Sequence, residues 1–137
     1  MFKVLGITDE VTTCDCCGKK NLKCTVALED EAGEVVYYGR DCAGAAVYGR
    51  KTTKNTAAIS KYAQMVQLCR DVLPVVLSAI SKGENPSEAA RKVNRNFEVD
   101  FGRYADTGRV KPLRIYFGNW NVPGVEIPAE QLPAQAP

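Results

Sequence analysis

The chain has 137 residues, a formal net charge of +2 and six cysteines, but no histidine. Without histidine there is no imidazole base, no histidine metal ligand and no Ser/His or Cys/His nucleophile pair, so an enzyme is the least favoured class. No apolar run is long enough to cross a bilayer and no signal peptide is recognisable. We therefore expect a cytoplasmic protein whose thiols stay reduced, where cysteines indicate metal binding more than disulfides.

The formal charge is unevenly distributed along the sequence. Residues 1–49 carry five basic and eight acidic side chains, and residues 50–114 carry thirteen basic and six acidic ones. Residues 115–137 add two acidic side chains. The basic excess of the middle segment indicates a polyanion as a partner.

The first chemical signal along the chain is a pair of cysteines with metal-ligand spacing. Cys14 and Cys17, followed by Gly18, have the Cys-x2-Cys-Gly spacing of a zinc knuckle. The glycine permits the tight turn that directs both thiolates towards one ion, whereas Cys16 is expected to point away. Ordinary buried or surface cysteines are the alternative, which we disfavour because Cys42 provides a matching downstream ligand.

A β-hairpin is predicted immediately after the knuckle. Two apolar runs, residues 24–29 and 34–38, flank a polar turn at residues 31–34. Paired residues in this hairpin have numbers that sum to about 64 or 65. Residues 2–7 are apolar and β-prone, and predict a short strand that packs on the hairpin.

The hairpin register suggests the fourth metal ligand. It places Cys24 opposite Arg40 or Asp41, beside Cys42, where a small-residue helix begins. A slip of one residue would turn Cys24 to the other face of the sheet. Cys24 is the favoured fourth ligand, and Asp41 and Cys16 are the competing ones.

Together these residues resemble small treble-clef zinc modules of uncharacterised bacterial and bacteriophage proteins. The resemblance covers about residues 12–49 and lies in the pattern CxxCGKxxLKxTVAL…GEVVYYGxxCA. It implies a metal and a piece of fold, but no activity. The expected fold is α+β, with a structural Zn²⁺ bound by Cys14, Cys17, Cys24 and Cys42. Four thiolates leave no open position for water or substrate.

A long helix follows a polar link. Its apolar residues recur every three and four positions and form a seam. The seam residues are Ile59, Tyr62, Val66, Cys69, Leu73, Val76 and Ile80. We expect this seam to pack on the zinc module, with Cys69 as a core thiol, and a helix-mediated homodimer is the alternative to a monomer. Pro74 should kink or split the helix near Val72.

A second, shorter helix is predicted after Gly83. Asn85-Pro86-Ser87-Glu88 has an N-cap residue, a proline at the first helical position and an acid at the third. The residues expected to face inward are Ala89, Ala90, Val93 and Phe97. Those expected on the opposite side are Arg91, Lys92 and Arg95, which either form a solvated face or contact nucleic acid.

The apolar period then changes from helical to alternating. Residues 97–104 and 111–117 predict a second hairpin. Its arginines and lysines, interleaved with tyrosines, suit contact with a nucleic-acid backbone, and cross-strand pairing with Glu98 and Asp100 is the alternative. Trp120 is expected in a loop, as a core plug or a contact anchor. Proline and alanine dominate from residue 123 on, and residues 128–137 predict a tail that buries no core and is either disordered or a docking arm.

The sequence therefore predicts a zinc module at residues 1–49, a helical segment with a hairpin at 50–122, and a tail at 123–137. The favoured function is nucleic-acid binding, associated with transcription. The predicted contacts are Arg91, Lys92, Arg95, Arg103, Arg109, Lys111 and Arg114. The alternative is a protein-interaction module, such as a phage-encoded adaptor or inhibitor of a host machine.

Overall fold

The computed structural model describes residues 1–101, 112–118 and 123–132. In these ranges the chain forms two three-stranded antiparallel sheets and three α-helices, which confirms the α+β class. It divides into two compact units, residues 1–67 and residues 68–137, which we call unit one and unit two. Unit one extends past the predicted boundary at residue 49.

The sheet of unit one contains β1 (Lys3–Thr8), β2 (Thr25–Glu29) and β3 (Val35–Tyr38), with β2 in the centre. Strands β2 and β3 pair with numbers that sum to 64, within the predicted register. The connecting turn is stabilised by Asp30, whose carboxylate accepts hydrogen bonds from the backbone N–H groups of Ala32 and Glu34, both at 2.9 Å. Gly33 takes the positive φ, 84°, that this turn requires.

Two helical segments pack on this sheet. Helix α1 (Arg40–Tyr48) follows β3 directly and ends at Gly49 in the left-handed conformation. Helix α2 begins at Thr53. The core of unit one is buried between them and the sheet. Its buried members are Val4, Val26, Leu28, Ala43, Ile59, Ala63 and Val66.

Gly44 marks the place where α1 meets the start of α2. A Cβ atom at this position would lie 3.0 Å from the backbone carbon and oxygen of Asn55. Because the neighbour is backbone, it cannot rotate away as a flexible side chain can. The two helices therefore approach this closely only with glycine at position 44.

We expect Gly44→Val to destabilise the protein by about 1–3 kcal/mol, the usual range for overpacking a tight contact. Urea denaturation followed by circular dichroism would measure the loss. Ala57→Val is the matched control, since Ala57 is exposed on α2 and the same change there costs only helix propensity. Equal stability of the two variants would contradict the close contact.

Helix α2 runs without interruption from Thr53 to Ser81, with Pro74 inside it. Of the two predicted effects of Pro74, a kink or a split near Val72, the split is therefore wrong. Pro74 is exposed, as is Arg70 one turn earlier, so water can hydrogen-bond the carbonyl that loses its helical partner.

The predicted seam of α2 is buried within the chain. Ile59 and Val66 belong to the core of unit one, as expected, whereas Cys69, Val76 and Ile80 belong to the core of unit two.

By length and composition alone α2 could span a membrane, with a mean hydropathy of 1.3 over its most apolar window, contrary to the expectation from the sequence. Core helices pass the same test, and α2 contributes buried residues to the cores of both units.

Unit two adds helix α3 (Pro86–Val93) and strands β4 (Phe97–Asp100) and β5 (Leu113–Phe117). The predicted cap is confirmed: the side chain of Asn85 accepts hydrogen bonds from the N–H groups of Ser87 and Glu88. The second hairpin is also present, and its residues 102–111 lie outside the described part of the chain. Val93 is 59 % exposed rather than facing inward, because α3 ends at this residue.

A third strand was not expected. Strand β6 (Val125–Ile127) pairs with β5, placing Ile115 opposite Val125, which is buried. Leu132, which lies in the tail predicted to bury no core, is partly buried and packs against the core of unit two, so that prediction is wrong at this residue. Three residues are too few to show an alternating pattern, so the strand is defined by its pairing. Trp120 and residues 133–137 lie outside the described residues.

Candidate metal centre

Three cysteines come together in unit one. The sulfurs of Cys14, Cys17 and Cys42 all lie within 4.8 Å of one another, close enough to bind one metal ion. Cys14 and Cys17 lie on the loop before β2, and Cys42 lies in the first turn of α1. Cys14 and Cys42 are buried, whereas Cys17 is exposed. The predicted convergence of these three thiols is confirmed.

The cysteine loop is shaped by its own backbone. The N–H group of Gly18 donates to the carbonyl of Cys14 at 2.8 Å, and the N–H group of Cys14 donates to the carbonyl of Lys19 at 2.9 Å. Gly18 has a φ of 77°, which is the conformation expected for the glycine of a knuckle. This turn directs Cys14 and Cys17 to the same side.

Asp15 attaches the loop to the end of the hairpin. Its N–H group donates to the carbonyl of Tyr37, and the N–H group of Tyr37 donates to its carboxylate, both at 2.8 Å. Strand β3 ends at Tyr38 and α1 starts at Arg40. The double hydrogen bond therefore sets the distance between the cysteine loop and the helix that carries Cys42.

The surroundings of Cys14 favour its thiolate. Burial raises the pKa of Cys14, but the backbone N–H groups of Cys17, Gly39 and Cys16 act on its sulfur and together lower the pKa to about 7. Gly39 matters sterically as well, since a Cβ there would lie 3.2 Å from Leu22 and 3.9 Å from the Cys14 sulfur. The loop thus provides hydrogen-bond donors for a metal-bound sulfur.

The pKa of Cys42 is raised, whereas that of Cys14 is lowered. Burial raises its pKa, and the neighbouring thiols of Cys17 and Cys14 raise it further, to about 12. Crowded sulfurs resist a second negative charge when nothing positive lies between them. A divalent cation reverses this penalty, because a coordinating thiol is deprotonated by the ion. The donor set therefore fits a cation that prefers sulfur.

The favoured fourth ligand is not part of this group. Among the described residues, the Cys24 sulfur lies outside the 4.8 Å cluster, although Cys24 lines the same cavity. The hairpin register was predicted correctly, but β2 begins one residue later, at Thr25, so strand pairing does not orient Cys24.

The two alternative fourth ligands, Asp41 and Cys16, also lie outside the cluster. A carboxylate oxygen of Asp41 accepts a hydrogen bond from the Thr56 hydroxyl at 2.7 Å. Cys16 is exposed and makes only the last-ranked contribution to the raised pKa of Cys42, after burial and the thiols of Cys17 and Cys14. Its sulfur, like that of Cys24, lies outside the cluster of three.

A cavity of about 340 Å³ opens beside the three thiols. Four basic side chains line it: Lys19, Lys23, Arg40 and Lys51. The pKa of Lys51 is raised, chiefly by the negative charge that Cys42 carries when it is deprotonated. Sequence reasoning missed this basic lining, because its members come from three separate segments of the chain.

The predicted nucleic-acid contacts are only partly described. Arg91, Lys92 and Arg95 are exposed, as expected. Arg114 instead forms an ion pair with Glu126 across β5 and β6, with 3.0 Å between Nε and Oε2. Arg103, Arg109 and Lys111 lie outside the described residues.

The charge asymmetry of the sequence does not correspond to the structural units. Unit one and unit two each carry nine basic and eight acidic side chains, a net charge of +1. The basic excess of residues 50–114 arose because that segment combines the basic link and start of α2 with unit two. Basic charge is concentrated locally, at the cavity beside the thiols.

Comparisons of this chain with protein-family models, with curated proteins and with solved structures found no significant match. The meaning of the cysteine cluster therefore follows from its geometry and chemistry alone.

Proposed function

We propose that this protein binds one zinc ion through Cys14, Cys17 and Cys42, and that the ion has a structural role in unit one. The observation that carries the proposal is the convergence of three sulfurs within 4.8 Å from two segments distant in sequence. The order of a cysteine loop, a hairpin and a helix with a cysteine in its first turn supports the proposal, because it is the order expected for the treble-clef modules that the sequence resembles.

Zinc is the metal that suits these donors. Thiolates favour soft or borderline ions, and zinc accepts sulfur ligands in a tetrahedral site without redox chemistry. In a reducing cytoplasm, where we place the protein, such thiols remain available to the metal. No disulfide joins the described cysteines.

The structural role follows from what the ligands connect. Cys14 and Cys17 belong to a loop with little regular structure, and Cys42 belongs to α1. A metal that binds both joins the loop to the helix, and its binding free energy then contributes to folding. The loop otherwise relies on a few backbone hydrogen bonds, chiefly those between Asp15 and Tyr37.

Elemental analysis of the full chain, purified under reducing conditions, tests the proposal. We expect one zinc per chain, and a metal-free protein would reject it. Separate Ser variants of Cys24 and Cys16 then show whether either sulfur takes part. If Cys24→Ser loses zinc, Cys24 is the fourth ligand and the site has four thiolates.

A second candidate function is nucleic-acid binding through unit two, favoured by three exposed basic residues close together near the end of α3. Glu substitutions at Arg91 and Arg95 should weaken binding to all nucleic-acid sequences alike. The reason is that contacts with phosphate groups position the protein on the nucleic acid but do not read its base sequence. The slope of log affinity against log salt should fall by about 1 for each phosphate interaction that a substitution removes.

Gel shifts with random DNA and RNA at two salt concentrations would measure this effect. Lys61→Glu is the control for charge alone, since Lys61 is exposed in unit one. Absence of any shift at low salt would reject nucleic-acid binding and favour the protein-interaction alternative.

A further inference from the structure

The cysteine cluster has an accessible side. Cys17 is exposed, and it lines the cavity of about 340 Å³ together with Cys14 and Cys42. All three candidate ligands therefore face one space that is large enough for a small molecule. A structural zinc site with four protein thiolates would instead be closed.

The preferred coordination number of zinc also leaves one position open for a ligand in this cavity. Zinc in proteins is almost always four-coordinate, and three protein ligands with a water or substrate in the fourth position are typical of exchangeable sites. Among the described residues, three sulfurs form the cluster, and Cys24 and Cys16 lie outside it. Asp41 already accepts a hydrogen bond from Thr56.

The charge around the cavity selects the kind of ligand. Three thiolates and one Zn²⁺ have a net charge of −1. Among the described residues, the cavity wall carries four basic side chains and one acidic one, Asp41. The net positive charge of the wall is larger than the −1 charge of the zinc-thiolate site. It therefore favours the binding of an additional anion next to the zinc ion.

Two of the basic side chains have defined positions. Lys51 lines the cavity together with Cys42, the candidate ligand on α1. The Arg40 guanidinium lies against the hydroxyl of Ser60, at 3.4 Å, while also lining the cavity. An oxygen anion on the metal would therefore meet a cationic donor in the same cavity.

We propose that the fourth coordination position binds an exchangeable small oxyanion, a carboxylate or a phosphate, and that Lys51 positions it. This proposal rests on the proposed metal site. It makes the site a place where a small anion is recognised, and it assigns a role to the basic cavity that a purely structural zinc leaves unexplained.

Cobalt-loaded full-length protein provides the test, because the visible absorption of Co²⁺ reports changes among its ligands. Addition of acetate or inorganic phosphate should shift these bands and reach saturation. Lys51→Gln should raise the apparent dissociation constant of the anion about tenfold, the usual effect of losing one hydrogen bond to a charged group. Lys54→Gln is the matched control, because Lys54 is exposed and does not line the cavity.

The outcomes separate the two proposals. If Co²⁺ binds but neither anion alters the spectrum, or if Cys24→Ser or Cys16→Ser removes a thiolate ligand from it, the anion proposal is overturned and the metal site remains. If Co²⁺ does not bind at all, both proposals fail. An equal effect of Lys51→Gln and Lys54→Gln would overturn the role of Lys51.

Discussion

Replacing Cys14 with serine should abolish zinc binding and unfold much of unit one. Cys14 is 1 % exposed and is the sulfur towards which three backbone N–H groups act, so no solvent ligand can take its place without rearrangement of the loop. Structural zinc contributes on the order of 10 kcal/mol of binding free energy, which a folded unit loses with the ion. Elemental analysis and amide hydrogen exchange of β2, β3 and α1 would measure both effects.

Cys69→Ala is the control for this experiment. Cys69 is also buried, and burial alone raises its pKa to about 11, as expected for a core thiol distant from any ion. Its replacement should leave the zinc content unchanged. Retention of zinc by Cys14→Ser, with unchanged exchange in unit one, would contradict the structural role of the metal.

Phe97→Ala should destabilise the protein by about 3–5 kcal/mol through unit two. Phe97 is 2 % exposed and packs edge-on against Phe117, with ring centroids 5.2 Å apart and planes inclined by 70°. The substitution removes this aromatic pair and leaves a cavity in the core. Urea denaturation followed by circular dichroism would measure the change.

Val93→Ala is the matched control, because Val93 lies four residues earlier and is largely exposed. Its effect should be within about 0.5 kcal/mol, as for other surface substitutions. Zinc content should remain at the wild-type value in both variants. A loss below about 1 kcal/mol for Phe97→Ala would show that the core of unit two is not packed as described.

The features that were predictable from the sequence are local ones. The register of the first hairpin follows from alternating apolar residues around a turn with Gly33. The start of α3 follows from Asn85 and Pro86, which act within one helical turn. The positions of Cys14 and Cys17 follow from a spacing that spans four residues.

Other features depended on which segments meet. Strand β6 pairs with the free edge of β5 and buries Val125, whereas its three residues alone are too few to predict a strand. Helix α2 continues through Pro74 because the proline faces the exposed side. The fourth-ligand prediction relied on extending the pairing of the hairpin to Cys24, where the strand has not yet begun.

By itself the sequence determined that this protein has a cysteine knuckle, a hairpin and a third cysteine at the start of a helix, because neighbouring residues impose these patterns. Only the tertiary structure decided that the third sulfur approaches the other two and that Cys24 remains outside their cluster. It also placed Lys19, Lys23, Arg40 and Lys51 around one cavity. Such groupings join residues from separate segments, so they are set by chain packing and not by any local preference.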